Sequence, residues 1–232
     1  VEAEAVTIQV IMTTYCPEPG HPRGRYAVQC ANGLRNFLLS THEDIAFIIA
    51  NDGPHDQPHI GAIWDELGDC QVQVAAGPRA GIGGSLNRAL KLVGPDDLWL
   101  YTTDDWDLVE EYPLGQAVRL IRDNAYHYVR LGPPHPNIHA QIKFQEKLGW
   151  WLHLQTYSGF VFATRPFLAT RTFYEGIGPF KEDCDSYVCE RDYADRVNNN
   201  PSANNVMAEV VCGSLEGPWQ HIGEVNVGER YP

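Results

Sequence analysis

Apolar and polar positions alternate between two rhythms along the first 131 residues. Val6–Thr13 (VTIQVIMT) mixes β-branched and apolar residues and predicts a first strand. After a Pro/Gly-rich loop, Cys16–Gly24, the residues Val28, Ala31, Leu34 and Leu38 recur at helical spacing within Tyr26–Leu39. Ile45–Ala50 is a continuous apolar run, the pattern of a parallel strand covered on both faces, and it stops at the turn signal Asn51-Asp52-Gly53-Pro54. A helix over Ile60–Leu67, a strand over Val72–Ala76, a helix over Ser85–Val93, a strand over Leu98–Thr102 and a helix over Tyr112–Asn124 continue the alternation, with Tyr126–Leu131 as a further strand. Strand and helix thus alternate about four times, which predicts an α/β fold with a mostly parallel central sheet. Residues 132–232 are less regular and rich in Trp, His, Tyr, Pro and Gly, with one clear helix over Asp185–Asn198. They read as the part that closes the sheet within a single unit, 1–232.

Composition narrows the class. The 232 residues are 44% hydrophobic and 20% charged, which suits a globular chain and excludes a disordered or collagen-like one. Seventeen basic against 30 acidic residues leave a net charge of −13, unfavourable for a nucleic-acid-binding domain or a basic lipid-surface patch. No segment approaches the roughly 20 apolar residues that span a bilayer. The opening residues Val1–Glu4 lack a leader pattern, and the six cysteines form no CxxC pair. Both features set the expectation of reduced, mostly structural thiols and a cytoplasmic location.

In open α/β sheets ligands bind beyond the carboxyl ends of the strands. Thr13-Thr14-Tyr15, Asn51-Asp52 and Thr103-Asp104-Asp105-Trp106-Asp107 all stand at such ends. Carboxylates at 104, 105 and 107 repel one another unless a cation lies among them, and Mg²⁺ or Mn²⁺ with oxygen ligands is the usual solution. A solvated acidic turn or a helix cap is the other reading. Gly81-Ile82-Gly83-Gly84 ahead of a helix is either a plain loop, the commoner use of such a run, or an offer of backbone N–H groups to an anion, with Arg79 and Arg88 flanking it. The absence of Gly-Lys-Ser/Thr excludes a P-loop, and Leu86 at the third glycine position argues against a dinucleotide fingerprint. Glu190 is a general base or a surface partner of Arg191 or Arg196. Pro136 breaks any helix joining His135 and His139, which disfavours a zinc pair there. Trp150 and Trp151 either stack on a sugar or are buried.

Taken in order, Thr14-Tyr15, Asn51-Asp52-Gly53, Gly81–Asn87, Asp104-Asp105-Trp106, Ser158-Gly159-Phe160 with Arg165, Gly178-Pro179-Phe180, Glu190 with Asp192-Tyr193 and Arg196, and His221-Ile222-Gly223 resemble the GT-A glycosyltransferases, in particular the large inverting family. The resemblance implies a Rossmann-like GT-A fold, with a nucleotide-sugar-binding half over 1–131 and an acceptor-binding, catalytic-base half over 132–232. It implies that Thr14, Tyr15, Asp52, Gly81, Arg88 and Asp104 contact the donor nucleotide. Asp105 and His221 would hold Mn²⁺ or Mg²⁺, and Glu190 would be the catalytic base. Two positions depart from the family pattern: Thr103 stands at the first place of the metal motif, and Cys189 replaces the first acid of the base pair.

The implied activity is transfer of a sugar from a nucleoside-diphosphate donor to an acceptor hydroxyl on a glycan, a protein or a modified nucleobase. A catalytically inactive glycan- or nucleotide-binding module with the same fold is the alternative, and the two departures support it. A nucleotidyltransferase is disfavoured because no glycine-rich, lysine-containing loop follows strand one.

Overall fold

The computed structural model describes residues 7–38, 44–95, 97–124, 126–131, 140–146, 149–154, 162, 164–200, 207–210 and 218–223. In chain order the elements are β1 (Thr7–Thr14), α1 (Pro22–Leu38), β2 (Asp44–Asn51), α2 (Pro58–Leu67), β3 (Gln71–Ala76), α3 (Gly81–Leu90), β4 (Leu98–Thr103), β5 (Trp106–Leu108), α4 (Leu114–Asn124) and β6 (Tyr128–Arg130). They continue with β7 (Ala140–Gln145), β8 (Gly149–Leu154), β9 (Phe167–Thr170), α5 (Arg171–Ile177), α6 (Ser186–Asn199), β10 (Met207–Val210) and β11 (Trp219–His221).

Nine strands form one sheet in the order β3-β2-β1-β4-β9-β6-β10-β8-β7. All but β9 and β8 run in the same direction, as the α/β alternation predicts. Helices cover both faces. Ile8, Val10 and Met12 of β1 and Phe47 and Ile49 of β2 pack with α1, α2 and α4, while Ile11, Ile48 and Ala50 pack with α3, α5 and α6. A strand buried on both sides needs apolar residues at every position, which is why Ile45–Ala50 has no polar alternation. Among the described residues no helix is long and apolar enough to cross a membrane.

The structure differs from the sequence pattern in four places. Helix α1 starts at Pro22, inside the expected loop, because proline suits the first helical turn. The glycines at 81–84 form the first turn of α3 rather than a loop ahead of it. The acidic segment after β4 folds back into β5, which pairs antiparallel with β11 in a two-stranded ribbon. Residues from the second half continue the same sheet through β7 to β10 and add α5, beyond the single helix expected there. Trp151 is buried and its Nε1 donates to the Tyr126 hydroxyl at 3.2 Å, so burial, not sugar stacking, accounts for that ring.

Candidate active site

The chain reverses its direction of strand addition at β1, which has β2 on one side and β4 on the other. The carboxyl ends of β1 and β4 therefore diverge into a crevice. Two backbone bonds pin the loops that line it: Asp52 N donates to Thr14 O, and Asp104 N donates to Thr13 O, both at 3.0 Å. A cavity of about 580 Å³ opens there, lined by Thr14, Tyr15, Asp52, Gly81 and Asp104 together with Arg23 and Arg79.

Each of these residues has a definite local task. Asp104 is 2% exposed and accepts from Thr14 Oγ1 at 3.1 Å and from Tyr15 N at 3.3 Å. Burial pushes its carboxyl up to about 6, while Arg23 pulls the other way. Asp52 accepts from Ala80 N at 2.7 Å and Gly81 N at 3.0 Å, so its carboxylate sits on the N-terminus of α3, where the helix dipole favours negative charge. Arg88 faces Asp52 at 3.5 Å and donates to the carbonyls of Asn51 and Pro78. It lines neither cavity of the site and reaches it only through Asp52. Arg79 stacks over the Tyr15 ring, 4.8 Å from its centroid.

The glycines of α3 are explained mainly by packing. Gly81 has φ +73°, a region that side chains rarely adopt, and a Cβ there would lie 2.6 Å from the Cys184 carbonyl oxygen. A Cβ on Gly83 would overlap the Lys181 carbonyl outright. Close approach of α3 to the segment leading into α6 thus requires these residues, and it brings Asp183–Ser186 to the cavity wall.

A second cavity of about 500 Å³ adjoins the first and shares Arg23, Ile82, Thr103 and Ser186 with it. Asp105, His221 and Glu190, which are far apart in sequence, all line it. The β5–β11 ribbon places His221 opposite Trp106 and brings its Nε2 to 3.3 Å from Asp105 Oδ2. Ile222 N donates to Asp105 O at 2.8 Å, and a Cβ on Gly223 would press against Asp105 Cβ at 3.0 Å, so the glycine permits the approach. Thr103 Oγ1 donates to Asp105 Oδ1. Glu190, on α6, accepts from Thr164 Oγ1 at 2.9 Å. The α6 ion pair runs instead between Arg196 and Asp192. Cys189 is buried, and burial raises its thiol to about 12, so it faces the core rather than the cavity.

Asp105 Oδ2 and His221 Nε2 form a mixed carboxylate–imidazole donor pair at the cavity, and Asp105 keeps 21% of its side-chain surface exposed. No group of three His, Cys, Asp or Glu side chains suited to a metal ion occurs among the described residues. A carboxylate–imidazole pair suits a divalent ion that would complete its coordination with oxygen ligands and water. Asp107 is turned away and accepts from Gln29 Nε2 at 2.7 Å beneath α1. Arg23 is one of the cavity residues that the sequence pattern does not single out, as are Thr164, Asp183 and Ser186. The signal for Arg23 is electrostatic: the first turn of α1 holds Arg23 and Arg25 and no acid, against the helix dipole. His135, His139, Ser158-Gly159-Phe160 and the Trp150 side chain lie outside the described residues.

No protein-family model and no curated protein matches the chain. Solved structures do. The crystal structure of S. aureus TarS 1-349 superposes with a TM-score of 0.62 at 15% identity, covering 88% of this chain and 58% of that one. The mannosyltransferase PcManGT from Pyrobaculum calidifontis, in complex with GDP-Man and Mn²⁺, gives 0.53 at 15% identity, covering 88% of this chain and 56% of that one. The fold is therefore of the GT-A glycosyltransferase type. The chain spans little more than half the length of these relatives.

Proposed function

We propose that the chain is a metal-dependent inverting glycosyltransferase that moves a sugar from a nucleoside-diphosphate donor to an acceptor hydroxyl. The observation that carries this reading is the meeting of Glu190 with the Asp105–His221 pair around one cavity, beside the cleft at the ends of β1 and β4. The GDP-Man and Mn²⁺ held by the mannosyltransferase of like fold support the donor and the ion.

Asp105 and His221 would hold Mn²⁺ or Mg²⁺, with the imidazole favouring a transition metal over Mg²⁺. Such an ion neutralises charge that builds on the β-phosphate as the glycosidic bond breaks. Tyr15, backed by Arg79, offers a ring face to the donor nucleotide, with Thr14, Asp52 and Asp104 beside it. Glu190 takes the proton from the acceptor hydroxyl, and Thr164 fixes the orientation of its carboxylate. Attack from the face opposite the departing diphosphate gives a single displacement, hence inversion. The acceptor is a glycan, a protein or a modified nucleobase.

Glu190→Gln should lower kcat by roughly 10²–10⁴-fold with donor affinity unchanged, as expected for a missing base. Asp105→Asn should lose the stimulation by Mn²⁺ while the protein still folds. Transfer at the wild-type rate in either variant overturns the corresponding role. Nucleotide binding without any donor hydrolysis or transfer in the presence of Mn²⁺ would instead identify a binding module.

A further inference from the structure

Arg23 stands where the proposed ion and the diphosphate would meet. Its Nη2 lies 3.4 Å from Asp104 Oδ1 and 3.8 Å from Asp105 Oδ2. That same Asp105 oxygen is the one 3.3 Å from His221 Nε2. The guanidinium and a divalent cation therefore compete for one atom. Arg23 also lines both cavities and keeps 29% of its side-chain surface exposed, within reach of a ligand in either.

Charge counting gives the direction of the exchange. With both carboxylates ionised, the two aspartates and Arg23 sum to −1. A divalent ion on Asp105 turns that sum to +1, and the guanidinium is then repelled from its seat. A diphosphate supplies the missing negative charge and a set of acceptors that match a planar fork. We propose that Arg23 is an exchangeable diphosphate ligand: it is paired with Asp104 and Asp105 in the unliganded chain and is handed to the diphosphate when a divalent ion takes Asp105. The inference rests on the proposed transferase function and adds to it a residue that couples metal binding to donor binding. Such coupling is reciprocal.

The test measures binding, not turnover. Mn²⁺ affinity is read from the EPR signal of the free ion, and UDP and GDP affinities from calorimetry in EDTA and with Mn²⁺. Arg23→Gln should tighten Mn²⁺ in the absence of nucleotide by about fivefold or more, and weaken the diphosphate in the presence of Mn²⁺ by a similar factor, with a smaller effect in EDTA, where Arg23 stays on the aspartates. Arg23→Lys, which keeps the charge but loses the fork, should fall between wild type and Arg23→Gln in both measurements and guards against a variant that does not fold. A purely structural arginine predicts a lower melting temperature with both affinities unchanged, and that result overturns the proposal. Mn²⁺ binding that is weaker in Arg23→Gln than in wild type also overturns it. If wild type binds neither diphosphate, with or without Mn²⁺, the transferase reading itself falls. If wild type binds with Mn²⁺ and the variants match it, only the role of Arg23 falls.

Discussion

Asp104 and Asp105 are chain neighbours in opposite environments. The first is 2% exposed, tied to Thr14, Tyr15 N and Arg23, while the second keeps 21% of its side-chain surface at the cavity beside His221. Sequence alone marks both as carboxylates beyond a strand; which one meets solvent depends on β1 and on the β5–β11 ribbon. Asp105, His221 and Glu190 were legible because each is a chemistry-bearing residue in a motif of recognisable order. Arg23 was not, because its partners lie 81 and 82 positions away and its own surroundings are Pro and Gly. His59 shows the same limit away from the site. It is buried in α2, its Nε2 lacks a hydrogen-bond partner among the described residues, and burial lowers its pKa from 6.5. The folded ring thus refuses a proton that the unfolded chain accepts. Below about pH 6.5 the unfolded state binds more protons, so stability falls as pH falls through that range and is recovered above it. His59→Phe should flatten this acid limb: the loss of unfolding free energy between about pH 7.5 and about pH 5.5, from urea titrations, should be smaller than in wild type. An unchanged slope would show that other groups set it.

At the scale of elements, long periodic segments were legible, and of the three-residue strands only β6, inside the expected Tyr126–Leu131, was. The β2 run Ile45–Ala50 and the α6 pattern are read to within one or two residues, since double-sided burial and a capped helix both leave marks. Asp185 caps α6 by accepting from Val188 N at 2.8 Å. The three-residue strands β5 and β11 are too short to carry an alternation, yet they place His221 beside Asp105. The glycine run in sequence is compatible with a plain loop or an anion-binding one, whereas in the structure Asp52 occupies N–H groups of Ala80 and Gly81 at the start of α3, and Gly83 lets the helix touch the segment before α6. Gly83→Ala should therefore destabilise the fold by about 1–3 kcal/mol through overpacking, with the Lys181 carbonyl displaced. Because Glu190 rides on α6 and Asp52 is bonded to the N-terminus of α3, the same variant should also weaken nucleotide binding. Denaturant titration and calorimetry read the two effects, and a neutral outcome in both would mean that the α3–α6 contact does not position the site.

The whole molecule joins its parts at the crevice. One hydrophobic cluster packs α1, α2 and α4 on one face of the sheet, and the other packs α3, α5 and α6 on the opposite face. The residues around the two cavities come from both sides: Arg23 from α1, Ile82 and Ser85 from α3, Ser186 and Glu190 from α6, and Tyr15 and Asp104 from the strand ends between them. The carboxylates gathered there add to a chain of net charge −13, so the crevice concentrates negative charge that a cation relieves. A ligand that bridges these elements binds the folded state and has no equivalent site in the unfolded chain. Its contribution is set by mass action, about 2.7 kcal/mol at a concentration one hundred times Kd. For a chain of this length that corresponds to a rise in Tm of roughly 5–10 °C. Mn²⁺ and a nucleoside diphosphate together should give this shift, and each alone a smaller one, because the ion and the phosphates complete one another's coordination. EDTA should remove the synergy. Additive or absent shifts in a scanning calorimetry series would show that ion and nucleotide do not share a site, and the link drawn here between Asp105, His221 and the donor cleft would have to be abandoned.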